Sequence, residues 1–218
     1  MDLSAASLVH QRLPGATSVS AADVDGDGDV DLVATAYLGG TVKWMANDGH
    51  GDFAAATVDE ASGAQAAGAI DVDGDADVDI YSASADSDGA VAWYANDESE
   101  TFTKAVISTL SKAVDVGAGD VDGDGDVDVV SAAMGAGVVT WHINDGSEVF
   151  TAQILASVAG SYAIFLADVD GDSDSDVLLA SFTDDSVRLI ENDGVRLRRT
   201  FYASLVRPCR AYAGKHAI

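Results

Sequence analysis

The stretch Asp120-Val121-Asp122-Gly123-Asp124-Gly125-Asp126-Val127-Asp128 decides the reading of this chain, because nearly the same nine residues are written four times. The other copies occupy 23–31, 71–79 and 168–176, so that in chain order the copies start 48, 49 and 48 residues apart. Five carboxylates in nine residues repel one another, since neighbouring side chains lie well inside the roughly 10 Å screening length of ordinary salt. A cation held among them removes that repulsion. Oxygen ligands at positions 1, 3, 5 and 9, a main-chain carbonyl at 7 and a glycine at 6 suit a hard ion that takes about six to eight oxygens. Ca²⁺ fits this description, with up to four ions in the chain.

The side-chain ligands defined by this spacing are Asp23, Asp25, Asp27 and Asp31 in the first loop and Asp71, Asp73, Asp75 and Asp79 in the second. The third loop offers Asp120, Asp122, Asp124 and Asp128, and the fourth Asp168, Asp170, Asp172 and Asp176. Asp29, Asp77, Asp126 and Asp174 stand at position 7, where each contributes its carbonyl and leaves its carboxylate in solvent. Position 8 is Val30, Val78 and Val127 in the first three copies, read as an apolar anchor to the core, and Ser175 in the fourth. Position 6 is Gly28 and Gly125 but also Ala76 and Ser173. A positive φ there carries a penalty for any Cβ, so loops two and four are expected to bind more weakly.

Acidic blocks are commonly solvated spacers, but a spacer has no reason to recur at a fixed period. An EF-hand loop closes with a bidentate Glu at position 12. Here that position is Ala34, Ser82, Ser131 and Leu179, and no long stripe of helical period flanks the loops.

With 218 residues the chain is long enough to bury a sizeable core, and the repeat argues for a single array. The net charge is −26, and the loops hold 20 of the 37 acidic residues, so four divalent ions would bring the charge to −18. A surface this acidic repels nucleic acid and anionic membrane, so neither is expected as a partner. Cys209 is the only cysteine, which rules out an internal disulfide. No apolar run approaches the length of a membrane span. Residues 1–11 show no basic region followed by an apolar core, so no signal peptide is legible there.

One repeat reads as a four-stranded meander: a small-residue strand at 16–22, the acidic loop, a strand at 30–37, a Gly39-Gly40 turn, a strand at 41–46, an Asn47-Asp48-Gly49 turn and a strand at 53–59. Val, Thr and aromatic residues between short turn-coded connections favour strands over helices. Both sides of the 30–37 strand are uncharged apart from Asp31, which fits a sheet covered on both faces. The four asparagines of the chain, Asn47, Asn96, Asn144 and Asn192, fall at one repeat position, read as a turn site set by tolerance of positive φ. Three residues earlier stand Trp44, Trp93, Trp141 and Leu189; six residues later stand Phe53, Phe102, Phe150 and Arg198. Residues 3–10 resemble a final strand of such a unit. Past Gly194 the pattern decays, with either a strand near 199–206 closing the last unit or a departure from the array. Seven of the eleven basic residues lie from Arg188 onward.

A period near 48 with four strands per unit is the mark of a propeller blade, which cannot bury its faces without neighbours. With Asp-x-Asp-Gly-Asp-Gly-x-x-Asp leading into a strand and Asn-Asp-Gly-x-Gly-x-Phe closing a hairpin at 47–53, residues 16–194 resemble the FG-GAP or VCBS repeats of integrin α-chain propellers and related extracellular proteins. The resemblance implies that each loop joins the first and second strands of a blade and binds Ca²⁺. It also implies an extracellular or cell-surface setting and a role in adhesion. The expected fold is an all-β propeller with blades near 16–59, 64–108, 112–156 and 161–206, within repeats spanning 1–194, followed by an eroded strand and basic tail over 195–218. Integrin-type wheels have seven blades, so four make either a small closed ring or an arc of a larger wheel, and the eroded ends favour the arc. The fourth repeat, lacking Trp, the position-8 valine and Phe, is expected to be the least well formed.

No catalytic set is visible. His10, His50, His142 and His216 occupy no repeated position, and neither a Gly-x-Ser-x-Gly elbow nor a phosphate-cradling loop is present. The tryptophans stand inside strands beside apolar neighbours and are expected to pack in the core and not to stack on sugars. The expected function is that of a non-enzymatic, calcium-binding interaction module whose protein or glycan ligand docks on one rim, through turns between blades such as 60–63 and 86–89. A lectin, or the propeller part of a larger secreted enzyme, is the alternative.

Overall fold

The computed structural model describes residues 9, 12–86, 89–97 and 101–194, and the backbone of 197–200. The expected strand at 3–10 and the stretch 201–218 lie outside the described residues.

Among the described residues sixteen strands form four antiparallel sheets, each in simple sequential order. Blade 1 comprises β1 (Ala16–Ala22), β2 (Asp31–Ala36), β3 (Thr41–Asn47) and β4 (Phe53–Asp59). Blade 2 comprises β5 (Ala64–Ile70), β6 (Asp79–Ser84), β7 (Ala90–Ala95) and β8 (Thr103–Thr109). Blade 3 comprises β9 (Ala113–Gly119), β10 (Asp128–Ala133), β11 (Val138–Asn144) and β12 (Phe150–Ser157). Blade 4 comprises β13 (Ser161–Ala167), β14 (Asp176–Ser181), β15 (Ser186–Asn192) and β16 (Leu197–Thr200). The all-β reading holds. The last strand closes the fourth sheet two residues earlier than the sequence suggested.

The first strands of successive blades pack side by side in the order β1, β5, β9, β13, while β13 and β1 make no comparable contact. The described residues therefore form an arc and not a closed ring. The apolar core lies between the blades. Val33, Val42 and Trp44 of blade 1 meet Ala67, Ile80 and Tyr94 of blade 2, and Val130, Val139 and Trp141 of blade 3 meet Val177, Leu179 and Ile190 of blade 4. A third cluster joins blades 2 and 3 through Val91, Ala113, Val116 and Val129. The central strands of blades 2 and 3 are thus buried on both faces, which is why β10 has no exposed residue. The three tryptophans are core residues, as expected, and the Trp44 ring meets Phe102 of the next blade edge-on at 5.8 Å.

Blade 4 forms a full four-stranded sheet despite its losses. Leu189 is buried in the tryptophan's place. Position 8 anchors unevenly, since Val30 is 55% exposed whereas Val78 packs against the core between blades 1 and 2, and the change to Ser175 leaves the fourth sheet in place. The firmer anchor is position 2, where Val24, Val72 and Val121 are each 2% exposed.

His142 is the one fully buried histidine among the described residues. Its Nε2 lies 2.9 Å from the Ser131 hydroxyl, in the place where blade 2 pairs the Tyr94 hydroxyl with Ser82 at 3.0 Å. Burial pushes its pKa down to about 4, so the folded chain holds it neutral while the unfolded chain protonates it near 6.5. The associated stability is present above pH 6.5 and is lost as the pH falls towards 4, up to about 3 kcal/mol. A His142→Tyr variant should lose less stability than the wild type between pH 7 and 4.5 in parallel denaturant titrations. Equal losses would show that His142 does not titrate with unfolding.

Candidate metal centre

Each acidic segment joins the first strand of a blade to the second, on the rim that also carries the Asn-Asp-Gly turns between third and fourth strands. The loop is folded by its own aspartates. In the third copy, Asp120 Oδ1 and Oδ2 accept the Gly123 and Gly125 amides at 2.7 and 3.0 Å, and Asp124 Oδ1 accepts the Asp126 amide at 3.0 Å. The fourth copy repeats this, with Asp168 taking Gly171 and Ser173 at 2.7 and 3.1 Å.

The ninth aspartate is the fixed point. Asp31, Asp79, Asp128 and Asp176 are all fully buried. In every copy one oxygen accepts the position-2 amide and the other the amide of the blade's asparagine; for Asp79 these are Val72 at 2.9 Å and Asn96 at 2.8 Å. Asp31 also accepts the Trp44 indole N–H at 2.9 Å. Burial raises the carboxyls of Asp79 and Asp128 to about 6, against the lowering by the Asn96 and Asn144 amides respectively. Asp73 and Asp122 are raised as well, first by burial and also by the carboxylates beside them. Both causes are what a cation would relieve.

Positions 1, 3 and 9 come together in three loops: Asp71, Asp73 and Asp79; Asp120, Asp122 and Asp128; Asp168, Asp170 and Asp176. In the first loop the group is Asp23, Asp25 and Asp27. Within each group the ligand oxygens lie within 4.8 Å of one another. Asp23 Oδ1 is a buried carboxylate oxygen with no hydrogen-bond donor, so the first loop keeps a lone pair directed away from water and from protein N–H. The donor set of hard oxygens with an unsatisfied member fits a metal ion. The position-5 carboxylates Asp75, Asp124 and Asp172 stand outside these groups and accept the amides of Asp77, Asp126 and Asp174 at 2.9–3.0 Å.

The position-7 carboxylates are not in open solvent. Those of Asp29, Asp126 and Asp174 lie over Gly49, Gly146 and Gly194, where a Cβ would meet the carboxylate oxygen at 2.2, 2.5 and 2.7 Å. The glycine of the Asn-Asp-Gly turn, replaced by Glu98 in the second copy, is therefore favoured by the neighbouring loop as well as by its own positive φ. The asparagines themselves do not adopt positive φ. They end their strands, or in blade 2 follow the last strand residue, and act through their amides, Asn96 Nδ2 donating both to Val78 O of its own loop at 3.2 Å and to Val24 O of the preceding one at 3.0 Å. Sequence reasoning overlooked this role and two more positions, the buried valine at 2 and the glycine at 4. Gly26, Gly74, Gly123 and Gly171 all have positive φ. The signal was available, since positions 2 and 4 are the non-acidic positions identical in all four copies.

Position 6 has φ of +94° and +98° at Gly28 and Gly125, and +80° at both Ala76 and Ser173. A Cβ at Gly28 would meet nothing, so the penalty at Ala76 is conformational and not steric. An Ala76→Gly change should stabilise the fold by about 1 kcal/mol, and Gly28→Ala should destabilise it by a similar amount. For a chain of this size that is a Tm shift of roughly 2–4 °C in opposite directions, read by thermal denaturation. Shifts of the same sign would remove the strain argument.

Comparison with known proteins places these loops in a wider setting. A family model described as FG-GAP-like repeat matches residues 23–82, 71–131 and 120–179, each match running from one acidic loop through the next. No curated protein matches the chain in sequence. Among solved structures, the V. cholerae biofilm matrix protein Bap1 is similar in fold, with a TM-score of 0.50 at 20% identity. The match covers 80% of this chain and 26% of that one, so the chain spans about a quarter of its length.

Proposed function

We propose that this chain, which belongs to the FG-GAP-like repeat family, is a Ca²⁺-stabilised extracellular interaction module and not an enzyme. The observation that supports it most directly is the loop architecture itself. Four copies of one aspartate cluster are tied by a buried carboxylate to the sheet behind them, so an ion held there braces a blade instead of facing a substrate. The proposed ligands are the side chains at positions 1, 3, 5 and 9 with the carbonyl at 7. The side-chain ligand at position 5 requires a small closure of the loop onto the ion.

The recognition surface is proposed on the opposite rim. Turns between second and third strands and connections between blades lie there, and an open groove of about 570 Å³ is lined by Tyr37, Leu38, Gly40, Glu60, Ser62 and Asp86. Leu38 is the most exposed large apolar side chain of this rim in blade 1. The 86–89 turn belongs to a hairpin within blade 2 and not to a junction between blades, yet the Ser62 hydroxyl bonds Asp86 and brings the two connections together. Variable connections on a constant scaffold are where binding commonly resides. The biofilm matrix setting of the structurally similar protein agrees with an extracellular partner, protein or glycan. Among the described residues no helix is long and apolar enough to cross a membrane.

Binding only the folded state adds RT ln(1 + [L]/Kd) per site, about 1 kcal/mol for each loop at millimolar Ca²⁺ and the weak affinities of extracellular modules. A few millimolar Ca²⁺ should therefore raise Tm above its value in chelator by several degrees, and calorimetry should count up to four sites. An unchanged Tm would sink the metal assignment. A Leu38→Asp variant that keeps its Ca²⁺ response but loses capture on matrix-protein and glycan arrays would place the partner on this rim.

A further inference from the structure

The arc ends on two sheet faces that are built like interior junctions. On the free face of blade 4, Val169 is 49% exposed and Val187 65% exposed. Their counterparts one repeat earlier, Val121 and Val139, are 2% and 0% exposed against blade 4 itself. On the end face of blade 1, Val19 is 66% exposed and lines an open groove of about 440 Å³ with Leu32, the buried Met45, and Val9 and Leu13 from the segment before β1. The residues in the places of Val19, Leu32 and Met45 in blade 2, Ala67, Ile80 and Tyr94, are buried against blade 1.

From these two faces we infer that they dock on each other in separate copies of the chain, blade 4 of one against blade 1 of the next. Two features commit the occupant to a second copy. The first is a hydrogen bond that every interior junction makes and both ends leave open. Asn96, Asn144 and Asn192 each donate their amide to the position-2 carbonyl of the preceding blade, Val24, Val72 and Val121. Among the described residues the Asn47 side-chain amide of blade 1 donates to the carbonyl of its own Val30 at 3.0 Å and to no second carbonyl, and no amide reaches the Val169 carbonyl of blade 4. Head-to-tail docking gives each the other.

The second feature is a reversal of side-chain size. In the junction of blades 3 and 4, Gly117 lies under Leu166, whose Cδ1 is 3.6 Å from where a Cβ would stand. One repeat on, the place of Gly117 is taken by Phe165, 66% exposed. A large residue there would clash with another leucine. The place of Leu166 in blade 1 is Ala21, which is small and exposed. The pair Gly117 with Leu166 is thus exchanged for Phe165 with Ala21, so the volume of the junction is kept when blade 4 meets blade 1. A heterologous contact of this kind repeats until it closes a ring or extends as a filament.

The test uses the full chain with Cys209→Ser, in Ca²⁺ and physiological salt to screen the shared negative charge. Sedimentation over about a hundredfold range of concentration should show particles of two or more chains, and Val19→Lys or Val187→Lys should return a monomer with an unchanged Tm. The lysines reduce the net negative charge, so loss of association could not be assigned to global repulsion. Mixing Ala21→Cys with Phe165→Cys chains should form a disulfide-linked pair well beyond either chain alone. A monomer at every concentration would overturn the inference and leave the faces to a different polypeptide. Efficient cross-linking of Ala21→Cys with itself would overturn it in favour of a symmetric contact.

Discussion

A carboxylate with no exposed surface, reached by amides from two directions, is the constraint on which each blade depends. Asp31, Asp79, Asp128 and Asp176 sit where the acidic loop re-enters the sheet, and each receives the backbone N–H of the loop's second residue and of the hairpin's asparagine. A buried charge without such donors is very costly, so the loop and the hairpin are held in one geometry or the carboxylate is not tolerated. The remaining acidic groups of the loop are then presented as a set, because their anchor cannot move independently of the core.

The same economy of parts joins one blade to the next. The asparagine whose main chain satisfies the buried carboxylate turns its side-chain amide to the loop of the blade before it, so metal loop, sheet and junction share a few adjacent atoms. Other contacts are local to one junction. The Asp115 carboxylate accepts the Ile164 amide at 2.8 Å between blades 3 and 4, and Asp59 receives both the Tyr94 hydroxyl at 3.0 Å and Lys104 at 2.6 Å between blades 1 and 2. The asparagine bond is common to all three junctions, whereas the polar contacts around it vary.

The architecture was legible in the sequence because its signals are periodic. The loop copies, the asparagines and the tryptophans keep register, and β1 and β4 were placed to the residue from alternation and turn chemistry alone. What escaped was direction. Valines at positions 2 and 8 look equivalent in a list of letters, and only the path of the loop sends Val24 inward and leaves Val30 outside. The asparagine was read through its backbone tolerance, whereas its side chain does the work and its backbone is ordinary. The loss of tryptophan in the last repeat reads as weakness; Leu189 fills the same place with a smaller apolar group and keeps the β14–β15 pairing, while β16 is the shortest fourth strand of the described blades. The partition of the last three loops into positions 1, 3 and 9 on one side and 5 on the other, and the grouping of 1, 3 and 5 in the first, depend on side-chain rotamers that no spacing rule contains.

The asparagine bond between blades has a genetic corollary. Because all three junctions are made by the same two groups, an amide from the later unit and a carbonyl from the earlier, one blade's donor suits any other blade's acceptor. Removing or duplicating a stretch of one period, cut at any point, rejoins a donor to an acceptor of the same kind. A change of blade number by whole periods therefore keeps this hydrogen bond at every junction, and the side-chain volumes that meet there, such as Phe165 against Leu166, decide which blades can become neighbours.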